Sequence, residues 1–262
     1  MLRIASCLLL AATALPLTAA AGGPIFMADQ VPEGMEFPAT YGVGVTAVLV
    51  DQNYSIDSLV FTAAALPPGT TVSGVGIDSH SESMTLKLDA WVLPFLNLHL
   101  VYGTLSGYTD VDFANNSLGI PLSTLRIPND GNTLGYGGTL AFGNGRWFGS
   151  VTATWSNTDL DPTTVSTGSV DSLAVFPKFG RVFKAGAVWV GGFYLDVDER
   201  HVGNIVLPVV GAATFDIHLA QERSFSYTVG ADLQLMHNVD AVIEFGFGAG
   251  REYANLGLTY RF

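Results

Sequence analysis

The feature that most constrains the fold of this sequence is a strict alternation of apolar and polar residues that recurs along the chain. In Tyr253–Phe262, apolar residues occupy the even-numbered positions from Ala254 onward, and polar residues or glycine lie between them. Successive side chains of a β-strand point to opposite faces, so this period of two predicts a strand with one apolar and one polar face. The same pattern predicts strands at 54–63, 83–93, 95–105, 133–142, 147–156, 171–179, 183–196, 224–235 and 240–249.

The connections between these strands alternate between short and long. The short ones are 93–94, 143–145, 180–181 and 236–239, and the long ones are 64–82, 106–131, 157–170 and 197–222. Tilted strands of about ten residues cross a bilayer, and membrane barrels place tight turns on one side and long loops on the other. The sequence therefore predicts an all-β fold, a single transmembrane antiparallel β-barrel of about ten strands within residues 39–262.

Two points of the strand count stay open. Residues 41–50 also alternate, and an eleventh strand would break the even number found in bacterial barrels. This segment is a lead-in, a plug or the first part of one long strand. A barrel of twelve strands, with a division hidden in residues 64–82, is the alternative.

The composition agrees with strands that meet lipid on one face. Hydrophobic residues make up 48% of the chain and charged residues 13%, and the mean hydropathy is +0.37. No apolar run of about 18 residues follows the N-terminus, so the apolarity does not come from membrane-spanning helices. The net charge of −12 argues against nucleic acid as a partner, since phosphate binding requires Lys and Arg.

The N-terminus has the organisation of a cleaved signal peptide, which we expect at residues 1–21. Arg3 supplies the positive charge, residues 7–15 form an apolar core, and residues 18–21 offer a small-residue cleavage site. An uncleaved membrane anchor is the alternative. Residues 22–38 are expected to form a periplasmic lead-in. Because Cys7 is the only cysteine, the mature protein has no disulfide and no cysteine metal site, and no cofactor or other metal site is predicted.

The last six residues, Gly257-Leu258-Thr259-Tyr260-Arg261-Phe262, resemble the terminal strand of Gram-negative outer-membrane barrels. The resemblance implies that the protein lies in the cell outer membrane, in contact with lipid and lipopolysaccharide. It also implies that the barrel-assembly machinery recognises the terminal aromatic residues, with Tyr260 and Phe262 as the assembly signal. Phe262 and the short turns then lie on the periplasmic side, and the long loops lie outside the cell.

The polar faces of the predicted strands define a charged lumen. A Lys or Arg in the middle of the bilayer that faces lipid costs roughly 2–4 kcal/mol, so charges at this depth are expected to face inward. The sequence leaves open whether they select small solutes in a narrow channel or transporter, or pair with each other and fill a structural barrel. The predicted lumen residues are Lys87, Asp89, Asn97, His99, Lys184, Asp232, Gln234, Glu244 and Arg261.

Aromatic residues of the strands are candidates for the belts that mark the two membrane interfaces, where amphipathic rings are enriched. Belts are favoured over ordinary strand packing for residues near predicted turns. The candidates are Trp91, Tyr102, Trp147, Trp155, Trp189, Tyr227 and Tyr260.

Two short acidic motifs raise a second class of function. Asp110-Val111-Asp112 follows a predicted strand, and Asp216-Ile217-His218 precedes another. Their placement resembles the Asp-x-Asp and Asp-x-His pairs of the omptin family of surface proteases, which are ten-stranded barrels. The resemblance implies that Asp110, Asp112, Asp216 and His218 activate a water for peptide attack, because an imidazole oriented by a carboxylate is a sound general base.

Two further interpretations concern the acidic loops. An adhesion or interaction barrel that works through these loops is a third class of function. Asp110, Asp112, Asp196, Asp198 and Glu199 also offer the oxygen ligands that divalent cations or a metal-bridged lipopolysaccharide layer prefer. Their spacing does not define a metal site, so non-enzymatic transport or structure remains the leading prediction.

Overall fold

The computed structural model describes residues 22–31, 37–64, 66–67, 69–117, 124–163, 166–207, 211–221, 225–248 and 250–262. The predicted signal peptide, residues 1–21, lies outside the described residues. In the described part of the chain, no helix is both long and apolar enough to cross a membrane.

The described chain is built almost entirely from β-strands. Their bounds are β1 Tyr41–Ala63, β2 Thr70–Thr71, β3 Gly76–Leu93, β4 Leu96–Asp112, β5 Thr124–Pro128, β6 Gly131–Gly143, β7 Trp147–Leu160, β8 Ser166–Phe183, β9 Gly186–Leu207, β10 Gly211–Gln221, β11 Phe225–Met236, β12 Val239–Gly248 and β13 Arg251–Arg261.

Ten of these strands close into an antiparallel barrel. The ring runs β1, β3, β4, β6, β7, β8, β9, β11, β12 and β13, and it closes because β1 pairs with both β3 and β13. The predicted all-β barrel of about ten strands is confirmed. Residues 41–50 and 54–63 belong to one long first strand, β1, so the segment is part of the wall and the twelve-strand alternative does not hold.

One end of the barrel carries the short turns and Phe262, and we call it the turn end. The described lead-in also lies there, because the backbone N–H groups of Ile25 and Phe26 donate to the carbonyls of Trp91 and Val92, both at 2.9 Å. The opposite end carries the long connections, and we call it the loop end.

The loop end contains more strand than the sequence predicted. Within residues 197–222, expected as a loop, residues 197–207 complete β9 and residues 211–221 form β10, which pairs with the distal halves of both β9 and β1. Similarly, β4 continues to Asp112 and pairs with β5 inside the predicted loop 106–131. We call this part of the barrel, beyond the tops of the shorter β11–β13, the extension. It forms strands because its residues alternate, as Ala213, Phe215, Ile217 and Leu219 do in β10.

The wall between the two ends has the dimensions of a membrane-spanning band. Exposed aromatic residues at the turn end include Tyr41, Phe142, Trp147 and Phe183. A second level includes Tyr102, Tyr136, Trp155, Tyr227 and Phe247. Trp147 and Trp155 are eight residues apart on β7, about 26 Å along the strand and about 20 Å along the axis of a tilted barrel. Aliphatic residues fill the wall between these levels, as an apolar band requires.

Two predicted belt residues do not face lipid. Trp189 is only 7% exposed and donates its indole N–H to Glu244 inside the barrel. Trp91 packs against Phe37 of the lead-in, with ring centroids 5.3 Å apart. The alternation gave the wrong face for Trp189 because β9 is apolar on both faces. Val188 and Val190 lie on the outside.

The position of Lys184 also differs from the prediction. The sequence placed a turn at 180–181 and Lys184 in the lumen, but β8 continues to Phe183 and Lys184 lies exposed in the turn before β9. Gly180 is a strand residue, and glycine occurs there for a steric reason and not because the chain turns. A β-carbon there would collide with the carbonyl oxygen of Val188.

Candidate functional site

The interior of the barrel holds layered clusters of side chains, beginning with a charged cluster at the turn end. Asp89 lies at its centre and is 6% exposed. Its Oδ1 accepts hydrogen bonds from Asn97 Nδ2 at 2.7 Å and Arg261 Nη1 at 3.0 Å, and Lys87 Nζ lies 3.5 Å from Oδ2. Arg261 also pairs with Asp240, Nε to Oδ2, at 3.9 Å. The turn-end cluster therefore joins strands β3, β4, β12 and β13 along the inner wall, over Gly42 of β1.

Other predicted lumen residues border this cluster. His99 Nε2 lies 2.9 Å from the hydroxyl of Thr154 on β7, over Gly137 of the intervening strand β6. Asp232 lies on the inward face of β11, together with Thr228 and Gln234. Gln234 lies at the turn and is exposed, with its amide 3.4 Å from the carbonyl of His237.

A second cluster surrounds Glu244, whose side chain is fully buried in the middle of the barrel. Its Oε2 pairs with Lys178 Nζ at 2.5 Å and accepts the Trp189 indole N–H at 3.0 Å. Its Oε1 accepts the hydroxyl of Tyr253 at 2.8 Å. Lys178 also lies over the Trp189 ring, 4.6 Å from the centroid. Every oxygen of this buried carboxylate thus has a partner, as a buried charge requires.

A third polar layer lies where the span meets the extension. Arg251 Nε donates to Gln52 Oε1 at 2.7 Å and its guanidinium lies over Phe193, 4.9 Å from the ring centroid. Above it, buried His201 and Glu199 lie 2.6 Å apart, Nε2 to Oε1. Burial, followed by the negative charge of Glu199, raises the pKa of Tyr54 well above its ordinary value. The Tyr54 hydroxyl also donates a hydrogen bond to the Glu199 carboxylate.

The interior of the extension is apolar along β10, β1, β3, β4 and β5, whereas β9 contributes the buried His201–Glu199 pair at the level of Ile217 and Leu219. Eleven buried hydrophobic residues from β1, β3, β4, β5, β10 and their flanks pack together there, each exposed by 6% or less. We call this group the apolar cap. It consists of Leu59, Phe61, Val72, Ile77, Val111, Phe113, Ile127, Ala213, Phe215, Ile217 and Leu219. Burial of each large side chain contributes about 1.5–3 kcal/mol relative to exposure. The cap therefore stabilises the extension by packing the inner faces of β10, β1, β3, β4 and β5 together.

The acidic pairs that resemble omptin motifs lie on the outer surface of the extension. The inward residues of β4 and β10 are odd-numbered, so Asp110, Asp112, Asp216 and His218 point away from the lumen. Strands β4 and β10 are separated by β3 and β1, which places the pairs at least three strand spacings, about 14 Å, apart. The structure does not bring the four residues together.

An arginine binds the first aspartate of each motif, Asp110 in one and Asp216 in the other. Arg126 binds Asp110 through Nε at 2.7 Å and Nη2 at 2.6 Å, and Arg200 binds Asp216 at 3.0 and 2.6 Å through the same atoms. These hydrogen bonds hold the pKa of each carboxyl below its usual value. His218 Nε2 lies 3.8 Å from Asp216 Oδ1, beyond hydrogen-bonding distance. The geometry is that of two cross-strand ion pairs.

Sequence reasoning missed most residues that organise the interior. Lys178 lies next to Pro177 in a predicted strand and shares one face of it with Phe176 and Gly180. That alternation was a signal that Lys178 points inward. Tyr253 opens the terminal strand on its polar face, which also signals an inward position. His201 and Glu199 carried no such signal, because their segment was expected to be a loop.

For the candidate cation-binding residues, the described part of the chain holds no group of three or more His, Cys, Asp or Glu arranged to bind a metal. Glu199 faces inward and pairs with His201, whereas Asp196 and Asp198 are exposed on the outside. The five acidic residues proposed as oxygen ligands are therefore split between two faces of the wall.

A closed antiparallel barrel with an apolar outer band, two aromatic levels and a polar interior is the fold of outer-membrane β-barrel proteins. No family model and no curated protein matches the sequence. Solved structures that resemble it include outer membrane protease OmpT from Escherichia coli, with a TM-score of 0.48 and 11% identity over 88% of this chain and 99% of that chain. Another is outer membrane protein OprG from Pseudomonas aeruginosa, with a TM-score of 0.46 and 11% identity over 86% of this chain and 98% of that chain. A third is the translocator domain of autotransporter NalP from Neisseria meningitidis, with a TM-score of 0.42 and 11% identity over 85% and 89% of the two chains.

Proposed function

We propose that this protein is a non-enzymatic outer-membrane barrel whose lumen is closed at its extracellular end. In this proposal the turn end is periplasmic and the extension stands outside the cell. The protein acts as a structural barrel that presents the surface of its extension, and it is not an open diffusion channel. The observation that supports the proposal is the apolar cap, whose eleven buried side chains pack together inside the extension.

Two physical arguments support a closed lumen. A hydrated ion that crosses the cap would lose water without gaining polar partners, and apolar constrictions stop conduction by dewetting. Below the cap, the charges of Asp89 and Glu244 are paired with lysine and arginine inside the barrel. A network in which lysine and arginine satisfy carboxylates is the expected filling of a narrow barrel, since ten strands enclose little more space than eight.

The ion pairs outside the extension support a non-enzymatic role. A general base must keep its carboxylate available to orient the imidazole, but Arg200 occupies both oxygens of Asp216. We therefore expect purified protein to cleave no peptide, and His218→Ala to change nothing in the same assay. Cleavage that disappears in His218→Ala would assign the protein to the surface hydrolases instead.

The test of the closed lumen is single-channel conductance of the refolded mature protein in a planar bilayer. We expect a silent bilayer for the natural protein and conductance steps for Phe61→Ala/Phe215→Ala, which removes two rings from the cap. The matched control is Val60→Ala/Thr214→Ala, which changes the outward-facing neighbours on the same strands. Heat-modifiable gel mobility shows that each variant is folded.

Two results would contradict the proposal. Steady steps from the natural protein would mean that a pore passes the cap. A folded cap variant that stays as silent as the control would mean that the cap is not the barrier.

A further inference from the structure

A groove on the outer wall of the barrel is separate from the lumen. It has a volume of about 660 Å³ and crosses strands β4, β6, β7, β8 and β9 at the aromatic level nearer the loop end. Its lower part is lined by Tyr102, Leu134, Tyr136 and Trp155, all of which are exposed on the outer surface. The rings of Tyr136 and Trp155 stack with their centroids 6.0 Å apart. The groove therefore begins at the boundary between hydrocarbon and headgroups.

The upper part of the groove is acidic. Asp159, Asp171, Asp196 and Asp198 line it, and the register of β8 and β9 sets Asp171 directly opposite Asp198. Directly opposed like charges destabilise a sheet. Among the described residues, no Lys, Arg or His lies within ion-pair distance of these four carboxylates. Asn157 donates a hydrogen bond to Asp171 at 2.8 Å, and it leaves the negative charge in place.

This charge balance differs from that of the neighbouring wall. On β4 and β10, the outward carboxylates Asp110 and Asp216 are each bound by an arginine. Over the groove, by contrast, four outward carboxylates lie together without an ion pair among the described residues, and Arg200, whose charge acts on Asp198, is itself bound to Asp216. The electrostatic complement of the groove is therefore a positively charged group that arrives from outside the chain.

The wall below the groove indicates what kind of molecule carries that charge. Leu98, Leu100, Leu140 and Val151 continue the apolar surface toward the turn end, and all four are exposed by 41% or more. An occupant that follows this surface has an acyl chain in the hydrocarbon layer. The indole N–H and phenol O–H groups of the aromatic level are suited to donate to a phosphate, and the carboxylates lie above them.

We propose that this groove binds a membrane lipid whose headgroup carries an ammonium group above its phosphate. The acyl chain lies along the leucines, the phosphate lies at the level of Tyr136 and Trp155, and the ammonium lies among Asp171, Asp196 and Asp198. The volume suits a headgroup and the upper part of one chain, since small-molecule sites span about 300–1,000 Å³. The site does not depend on whether the lumen conducts.

The test is native mass spectrometry of the full-length folded protein with equimolar phosphatidylethanolamine and phosphatidylglycerol that carry identical chains, in the presence of a metal chelator. We expect the ethanolamine lipid to be retained about tenfold over the glycerol lipid. Asp196→Asn/Asp198→Asn is isosteric, and it should reduce that preference about fivefold or more because each charge at the membrane surface contributes separately.

The matched control is Asp78→Asn/Asp112→Asn, which removes two exposed charges from β3 and β4 outside the groove, and it should keep the natural preference. Equal retention of both lipids would overturn the proposal, as would a preference that survives in Asp196→Asn/Asp198→Asn. Retention of the glycerol lipid that appears only when Mg²⁺ replaces the chelator would also overturn it, in favour of an anionic lipid bridged by metal.

Discussion

Glu244 shows how a single charged residue organises the interior of this barrel. Its carboxylate accepts hydrogen bonds from Trp189 and Tyr253 and pairs with Lys178, although it is completely buried. A buried ion pair contributes little net stability compared with an apolar pair, but the loss of one member leaves an uncompensated charge. The residue therefore stabilises the fold only as part of its network.

From this network we predict that Glu244→Gln lowers the free energy of unfolding by about 3 kcal/mol, because the charge of Lys178 remains buried. The measurement is urea unfolding of the protein in lipid vesicles. The slope of the unfolding free energy against urea concentration should be the same for all variants. Glu252→Gln, an exposed change on the outer face of β13, is the control and should stay within about 0.5 kcal/mol. Lys178→Met/Glu244→Leu should recover most of the loss. If Glu244→Gln is as stable as its control, the network is not what holds the strands together.

The ion pair on the surface of β10 leads to a prediction about pH. The hydrogen bonds from Arg200, followed by its positive charge, lower the pKa of Asp216. A carboxyl whose folded pKa lies below its unfolded value of about 3.9 contributes stability above that value and loses it as the pH falls through the folded pKa. Asp216→Asn should therefore lower the melting temperature at pH 7, and the deficit should shrink at pH 3 and below.

Circular dichroism melting of the natural protein and Asp216→Asn at both pH values checks this expectation. Asp78→Asn, which changes an exposed carboxylate of β3 with no ion pair in the described part of the chain, is the matched control and should show no deficit that shrinks between pH 7 and pH 3. A deficit of Asp216→Asn that stays equal at pH 3 would show that its cause is packing, not charge.

At the scale of the element, the pairing of β8 with β9 depends on residues that have no side chain. A β-carbon at Gly180 would meet the carbonyl oxygen of Val188 and the ring of Phe148. Backbone cannot move aside as a flexible side chain does, so the two strands would have to separate. This close approach explains why a glycine occurs inside β8, at a position where the sequence pattern had indicated a turn.

We therefore expect Gly180→Ala to destabilise the barrel by about 1–3 kcal/mol, the usual effect of overpacking. Gly76→Ala is the control, because the nearest atom to a β-carbon there is 4.0 Å away at Asp112. Urea unfolding midpoints of the two variants give the comparison. Equal midpoints would mean that β8 and β9 separate without cost at this level.

The elements of the extension also explain where sequence reasoning stopped. Alternation predicted the ten strands of the ring because one face of each meets lipid over its whole spanning length. The same alternation is present in Phe215 and Ile217, but Pro, Asp and Ser nearby favoured a loop. That β10 lies between β9 and β1 is a matter of long-range pairing, for example Phe61 with Phe215. No local pattern encodes a pairing across more than 150 residues.

At the scale of the whole molecule, the two ends of the barrel have opposite characters. The turn end is charged inside and carries both the lead-in and the last residue, whereas the loop end is mainly apolar inside, with one buried His201–Glu199 pair, and charged outside. An apolar interior in the part that leaves the membrane reverses the arrangement of the spanning part, where the apolar residues face outward. The sequence could not reveal this reversal by composition, because both parts use the same alternation.

The closure of the ring gives the last prediction. Phe262 and Tyr41 exchange two backbone hydrogen bonds, at 3.1 and 3.0 Å, across the seam between β13 and β1. The Phe262 ring also contacts Tyr41 and Tyr260, with centroids 6.0 and 5.9 Å apart. Phe262→Ala keeps both hydrogen bonds and removes only the ring contacts, each worth about 0.5–1.5 kcal/mol beyond burial. In lipid vesicles the purified variant should therefore still refold to a heat-modifiable barrel.

Assembly in cells separates a structural role of the ring from its role as a recognition signal. If the assembly machinery reads the terminal aromatic residue, Phe262→Ala should lower the folded amount in the outer membrane severalfold, far more than its effect on refolding. Phe183→Ala removes another exposed ring at the turn end and should leave both quantities close to the natural level. A folded amount in cells that falls only in proportion to refolding would restrict Phe262 to closing the seam.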